Sequence, residues 1–488
     1  MMGTRRSFQS DVSFLEKIAM GAVGTRRVLE DLSKQGHCPL VLERGSTSFK
    51  IWKKVKIKRI RVPDILCVTC GSRVESRSKT TLEISMSHST SDPERGWDYG
   101  LDDRDYVALV VCGRSGDRPI DWQADELVQY FHVGELRSAQ GKGAAFLVRP
   151  KGAEEGFEAR ASWPAVVASS CGTVVSVAED RIQYLREADS KKITLRLLRQ
   201  AVLVEPLVAK GEAVVRNQVL AAVVPVVRSL PCSKSITPRY YLARLAGPSL
   251  SERYTAAKAL ALAKSRTVSR TLLAKTNDTN EHIYVRLEAA AGLARQGMEE
   301  GWAFIEKCLA DEYLQNRLEA VIILGEIQTK TSCRLLCDVL LDPQQHPEIR
   351  AGAAWALGEL RNDQALNALI DSFSAVDEGI RFEAARALAK LAATRPIAGQ
   401  LPLALPEKRA GIAWALSKSR AFELEDLLNT LVDEDARQWV SYVLGTQDQK
   451  RYVDEIEKLK ERDPQVYFAV TVLWKILTSW IYDLEEYG

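Results

Sequence analysis

The spacing of hydrophobic and polar positions changes character along this chain. Between Asp11 and Lys34, Phe14, Leu15, Ile18, Val23, Val28, Leu29 and Leu32 recur at helical spacing. This predicts one or two amphipathic helices, broken near Gly21 to Gly24 and ended by Gly36. Val55 and Ile57 then alternate with Lys54, Lys56 and Lys58, the period of a half-buried strand with its cationic side outward. Val74 to Lys79, Leu82 to Ser89 and Tyr106 to Cys112 read as further strands. From Trp163 to Pro225 the β-rich runs are short and separated by turn signals at Cys171-Gly172, Glu179-Asp180 and Asp189-Ser190, which suits a small all-β barrel or sandwich.

From about Ser251 the chain repeats itself. Arginines recur at Arg253, Arg286, Arg317, Arg350, Arg381, Arg409 and Arg437, in steps of 33, 31, 33, 31, 28 and 28 residues. Each precedes an alanine- and leucine-rich helical run, as in AGAAWALGEL after Arg350. A period of this length is the mark of a helical solenoid. Phe468, Leu473, Trp474, Ile476, Leu477, Trp480 and Ile481 mark a final apolar helix that would cap the array.

The predicted fold class is therefore multidomain α+β. An N-terminal α/β domain (1–145) is followed by a small all-β barrel or sandwich (146–232), an all-α solenoid (233–450) and capping helices (451–488). A length of 488 residues with 46% hydrophobic positions is enough for several cores. The formal net charge of +3 makes any basic feature a local one. The charged N-terminus lacks the apolar core of a signal peptide, no run of eighteen apolar residues occurs, and the nine cysteines have no framework spacing. These features predict a cytoplasmic protein with reduced thiols and no membrane contact.

The densest chemistry lies between Lys50 and Lys79. Lys50, Lys53, Lys54, Lys56, Lys58, Arg59 and Arg61 fall within twelve positions without an acid, followed by Pro63-Asp64, Cys67-x-x-Cys70 and Glu75-x-Arg77-x-Lys79. The basic run suits a phosphate backbone, such as that of DNA. Across a hairpin, Asp64 and Glu75 can converge as Mg²⁺ ligands, with Arg77 or Lys79 orienting water or phosphate. Here the sequence resembles the PD-(D/E)xK restriction-endonuclease-like superfamily, over at most the first 120 residues. The resemblance implies catalytic roles for Asp64, Glu75 and the lysine position, and a third acid from an early helix, Glu16 or Glu30. Arg77 occupies the lysine position, and an arginine does not give up its proton, so either Lys79 substitutes or catalysis is lost. The alternative is a solvated strand on which Glu75 pairs with Arg77 or Lys79.

Cys67 and Cys70 form half a zinc site, for which His37-Cys38 is a poor second pair because neighbouring side chains diverge, so a degenerate knuckle or a plain hairpin is expected ahead of a zinc site. Trp97 and Tyr99, beside Arg95 and Arg104, either stack on bases or close a small core. His88 reads as a satisfied polar residue. Residues Pro206 to Ala221 resemble the hairpin of barrel-sandwich hybrid domains, but Lys210 lacks the flanks of a modified carrier lysine, so a structural or docking module is expected. The repeats resemble HEAT repeats of the short kind found in phycobilisome lyases. That resemblance implies an inter-repeat ladder from the recurring arginines and acids such as Asp311 and Asp377, and a surface for a protein partner.

Three functions follow as expectations. The first is a metal-dependent nuclease, or nuclease-like nucleic-acid-binding protein, whose HEAT array recruits a partner or substrate. The second is a non-catalytic HEAT scaffold whose degenerate nuclease fold only binds nucleic acid. A phycobilin lyase is the third, and neither the basic strand nor the β module has a place in it.

Overall fold

A computed structural model describes residues 11–42, 60–116, 121–148, 159–232, 235–392, 397–419, 424–446 and 449–485. The basic run from Lys50 to Arg59, with its expected strand, lies outside the described residues. The chain divides into two compact units, with the boundary at Ala263–Lys264. The first is β-rich with several small sheets, and the second is a helical repeat region.

The first unit opens with α1 (Asp11–Lys34), one continuous helix where a break at the glycines was expected. Gly24 serves close approach instead: a Cβ there would fall 2.0 Å from the Ser78 Oγ. The helix lies on a five-stranded sheet of β1 (Pro39–Val41), β2 (Ile65–Cys67), β3 (Arg73–Lys79), β5 (Tyr106–Arg114) and β6 (Trp122–His132), in that spatial order. Only the β3–β5 pairing is parallel. Val28 and Leu32 of α1 bury against Val74, Ala108, Val110 and Tyr130.

The opposite face of this sheet carries a second core. Val107, Leu109 and Val111 pack with Ile84 and Met86 of β4 (Ile84–His88), with α2 (Val133–Gly141) and with Trp163. β4 pairs with β8 (Ala159–Trp163), which also pairs with β7 (Phe146–Val148). Trp97 is 3% exposed and meets the Trp163 ring edge-on at 5.1 Å, so this aromatic closes a core and is not open to bases. Tyr99 stays exposed.

The β module is two small sheets over one core. One holds β10 (Gly172–Val177), β11 (Arg181–Arg186), β12 (Lys192–Arg196) and β16 (Ala213–Val214). The other holds β9 (Ala165–Val167), β15 (Glu205–Pro206) and β17 (Val219–Ala222), and a short ribbon joins β13 (Leu198–Arg199) to β14 (Val202–Leu203). Alternate inward residues such as Val174, Ile182, Tyr184 and Leu220 fill the space between the sheets. Lys210 sits exposed in the turn before β16. After the module, α3 (Pro238–Leu245) and α4 (Leu250–Leu260) complete the unit.

In the second unit, α5 (Arg266–Asn277), α6 (Ile283–Arg295), α7 (Glu299–Leu309), α8 (Leu314–Glu326), α9 (Lys330–Leu341) and α10 (Pro347–Leu360) form successive hairpins. They continue as α11 (Leu366–Asp371), α12 (Glu378–Ala392), α13 (Gln400–Leu403), α14 (Pro406–Ser419), α15 (Leu424–Leu428) and α16 (Glu434–Gly445). The arginine-led helices α6, α8, α10, α12, α14 and α16 stack side by side. Their small residues permit this: a Cβ on Gly358 would come within 2.8 Å of the Ala387 Cα.

The repeat arginines serve as caps. Arg286 donates to the Thr276 carbonyl at 2.9 Å, Arg350 to Leu340 at 2.8 Å and Arg409 to Ala404 at 3.1 Å. Each satisfies a backbone acceptor at the end of the preceding segment. The expected ladder partners are corrected here. Arg317 takes the Asp311 backbone carbonyl and then the Gln345 side chain at 2.9 Å, while an Asp377 carboxylate oxygen accepts from the Ile380 amide. Acids from the following connection pair with two of the arginines, Arg409–Asp433 at 2.9 Å and Arg437–Asp463 at 3.0 Å, and Arg437 also lies 3.9 Å from Glu434 on its own helix.

The array ends in α17 (Gln449–Arg462) and α18 (Pro464–Glu485). Val466, Val470 and Trp474 are buried, and the Trp474 indole donates to the Leu444 carbonyl at 3.2 Å, so this helix packs back on α16. Phe468, expected on the same apolar face, is 67% exposed. No helix among the described residues is long and apolar enough to cross a membrane.

Candidate functional site

The β2–β3 hairpin places most of the residues singled out above. Ile65 pairs with Val74 and Leu66 with Arg73 in antiparallel register, and Asp64 and Glu75 are the next residues along the two chains. An Asp64 carboxylate oxygen accepts from the Ser76 amide at 2.8 Å. Glu75 pairs with Arg77 at 2.9 Å, and the Lys79 ammonium donates to the Ser85 carbonyl at 2.5 Å. Alternation puts Glu75, Arg77 and Lys79 on one face of β3, with Val74, Ser76 and Ser78 toward α1. The two acids considered as third ligands are engaged elsewhere: Glu16 pairs with Arg114 at 2.5 Å and Glu30 with Arg27 at 3.6 Å. Arg104 pairs with Asp102 at 2.7 Å and with Glu252 at 2.9 Å.

At the turn of the same hairpin, donor atoms of His37, Cys67, Cys70 and Cys232 lie within 4.8 Å of one another. Local folding explains each position. Gly36, at φ +85°, ends the α1 segment and swings His37 inward, while its neighbour Cys38 faces solvent. The Gly71 amide donates to the Cys67 carbonyl at 2.8 Å, and the Cys67 amide to the Ser72 carbonyl at 2.8 Å, folding Cys67 and Cys70 into a knuckle. Gly71 sits at φ +77°, and a Cβ there would lie 2.9 Å from Ile236 and 3.0 Å from the Tyr240 ring. Cys232 arrives on the segment after the β module, its amide donating to the Gln35 carbonyl at 3.2 Å.

The Cys67 and Cys232 sulfurs are 3.9 Å apart, and the Cys70 sulfur is 3.5 Å from His37 Nδ1. The other ring nitrogen, Nε2, donates to the Leu230 carbonyl at 2.5 Å. The hydrogen bond from Cys70 holds the Cys67 thiol well below its ordinary value, at about 4. The same bond, together with burial, pushes Cys70 up. Sequence reading set His37 and Cys38 beside Cys67 and Cys70; the structure brings His37 into this cluster and leaves Cys38 exposed outside it. Cys232 carried no signal, because its spacing of 162 residues from Cys70 fits no local motif.

Beside this turn, Arg73 and Asp105 form a buried ion pair at 2.9 and 2.5 Å, and Arg73 also reaches the Ser251 hydroxyl at 3.1 Å. Burial raises the Asp105 carboxyl, and Arg73 opposes that shift.

On the second unit, the position five residues beyond the repeat arginine is Trp355, Arg386, Trp414 and Tyr442 in four successive stacked helices. Next to it, the exposed Phe382 ring lies 6.5 Å from the Trp414 ring. Arg386 sits over Phe382 and Lys418 over Trp414, each at 5.8 Å.

Comparison with known proteins identifies residues 303–389 as HEAT repeats, so the C-terminal helical region contains HEAT repeats. Comparison with curated proteins gives no match. Among solved structures, the complex of CpcE and CpcF of phycocyanin lyase from Nostoc sp. PCC7120 is 19% identical. It covers 51% of this chain and 100% of that one, at a TM-score of 0.26. A computationally designed armadillo repeat protein for modular peptide recognition is 18% identical, over 43% of this chain and 99% of that one, at 0.23. Human deoxyhypusine hydroxylase is 16% identical, over 43% and 83%, at 0.19.

Proposed function

We propose that this chain is an interaction scaffold whose HEAT array holds an extended segment of a protein partner. The observation that carries this reading is the run of half-buried Arg386, Trp414 and Tyr442 at one repeat position, with the exposed Phe382 beside Trp414 and Lys418 over it; Trp355, at the same position one repeat earlier, is buried. Planar and cationic side chains recurring once per repeat offer successive stacking and hydrogen-bonding stations to a polypeptide laid across the helices. Aromatic and arginine side chains are also those that most often dominate binding energy. The test is selection of peptides from a displayed random library by the purified chain. Peptides that bind the unaltered chain and fail to bind a Phe382→Ala/Trp414→Ala variant support the reading. Enrichment that is indifferent to the variant sinks it.

A second reading, metal-dependent phosphodiester cleavage, is supported by Asp64 and Glu75 following directly on the paired Ile65 and Val74. Against it stand the Asp64 bond to the Ser76 amide, the Glu75–Arg77 pair and the arginine in the lysine position. Labelled DNA and RNA incubated with Mg²⁺, Mn²⁺ or EDTA decide it. Cutting that requires metal and disappears in Asp64→Ala and Glu75→Ala would establish the nuclease; intact substrate in every arm dismisses it.

A further inference from the structure

We propose that His37, Cys67, Cys70 and Cys232 bind one zinc ion that pins the chain segment following the β module to the β2–β3 hairpin. This inference does not rest on the scaffold reading.

The donor set comes first. Three thiols and an imidazole are the ligands that a structural zinc ion takes, four in number with no position left for water. The spacing agrees with that ion. With Zn–S near 2.3 Å and Zn–N near 2.0 Å, tetrahedral geometry separates two sulfurs by about 3.8 Å and a sulfur from a nitrogen by about 3.5 Å. The Cys67–Cys232 sulfurs are 3.9 Å apart, and the Cys70 sulfur lies 3.5 Å from His37 Nδ1. A sulfur–sulfur distance near 2.05 Å would mark a disulfide, and all four cysteines of this region, Cys38 included, are free.

The surroundings are those of a metal ligand shell. The bond from His37 Nε2 to the Leu230 carbonyl fixes the tautomer in which Nδ1 carries a lone pair, and that nitrogen faces Cys70. A ligating histidine is typically held in this way by a carbonyl on its far side. The Cys67-to-Cys70 turn, with its amide bonds back to Cys67 and Ser72, is the short-spaced half-site, and His37 and Cys232 bring the other half from 195 residues apart. One divalent cation on three thiolates and a neutral imidazole leaves the site with a net charge of −1, and the protons of those thiols that still carry them go to solvent.

The consequence reaches beyond the four ligands. The Ile236 amide donates to the Thr69 carbonyl inside the knuckle at 2.7 Å, and the Tyr241 hydroxyl donates to the Val68 carbonyl at 3.1 Å. The metal turn is therefore the seat of α3, and zinc would hold the last helices of the first unit on its sheet.

The test is metal analysis of the purified full chain from zinc-supplemented cells. One zinc per chain is expected, falling below about one fifth in Cys232→Ser and staying at one in Cys38→Ser. Because Cys232→Ser can fail to fold, Cys232→His, which keeps four donors, is measured beside it and is expected to retain the metal. Cobalt reconstitution of the unaltered chain supplies a second readout, with tetrahedral ligand-field bands and thiolate-to-cobalt charge transfer that weaken in Cys232→His. A folded, reduced chain that carries no zinc and takes up no cobalt would overturn the proposal, as would equal zinc content in the unaltered chain and a folded Cys232→Ser variant.

Discussion

The Nε2 of His37 donates to the carbonyl oxygen of Leu230, 193 residues further along the chain, and both groups are buried. This bond joins the end of the first helix to the strand of chain leaving the β module. The Gln35 side chain also accepts from the Leu230 amide, so the segment around Leu230 is held from two sides. In His37→Ala both the bond and one cluster donor are lost. Amides between Leu230 and Tyr241 are expected to exchange at least roughly tenfold faster, equivalent to about 1.4 kcal/mol of local opening. Hydrogen exchange read by mass spectrometry checks this, and unchanged protection would separate the segment from His37.

The Arg73–Asp105 pair predicts a pH-dependent variant. Arg73 and Asp105 are 6% and 3% exposed, so removing the guanidinium strands a buried carboxylate. Arg73→Met is expected to cost about 3–5 kcal/mol near neutral pH. Burial already raises the Asp105 carboxyl above its unfolded value, and losing Arg73 raises it further. Between those two values the folded chain holds a proton that the unfolded chain has released, so stability falls as pH rises through that window. The deficit of Arg73→Met relative to the unaltered chain should therefore be smaller at pH 4 than at pH 7 in denaturant titrations. A constant deficit would remove Asp105 from the account.

Gly358 predicts how tightly the repeats stack. In Gly358→Ala the new methyl would meet the Ala387 Cα at 2.8 Å, and backbone cannot swing aside as a side-chain tip can. The gain in helix propensity, up to about 1 kcal/mol, is outweighed by overpacking of about 1–3 kcal/mol. A lowered denaturation midpoint for the second unit is expected, and an unchanged or raised one would show that the helices can part freely.

Asp463 carries two tasks at once. It pairs with Arg437 at 3.0 Å, and its carboxylate accepts from the Val466 amide at 3.2 Å, capping α18. Asp463→Ala is expected to cost about 1–2 kcal/mol, chiefly through the cap. Asp463→Ser should recover the capping part only, and thermal melts of the three proteins distinguish these contributions.

The two regions of the chain were legible to different degrees for physical reasons. The array announces itself because each repeat must bury the same face against the next, so Arg286, Arg317 and Arg350 recur with their alanines. What those arginines bind was not legible: the acceptors are mostly backbone carbonyls, which have no letter in the sequence. Gly24 looked like a helix break because a missing side chain reads the same whether the backbone bends or a strand presses against it. In the candidate metal cluster, Cys67 and Cys70 were visible as a pair because a knuckle is local. Cys232 was not, because only the folded path of the β module brings it back. Strand alternation made the β2–β3 hairpin legible, while the Asp64 bond to the Ser76 amide depends on how the chain enters β2.

The scaffold reading is tested most directly by titrating one library-selected peptide into the full chain by calorimetry. The unaltered protein is compared with Trp414→Ala, with Phe382→Ala, and with Arg334→Ala on α9, where the Arg334 side chain is 60% exposed and pairs with Asp338 on its own helix. The account predicts at least about tenfold weaker binding, roughly 1.4 kcal/mol, for both aromatic variants and no change for Arg334→Ala. Equal affinity across all four proteins would contradict it.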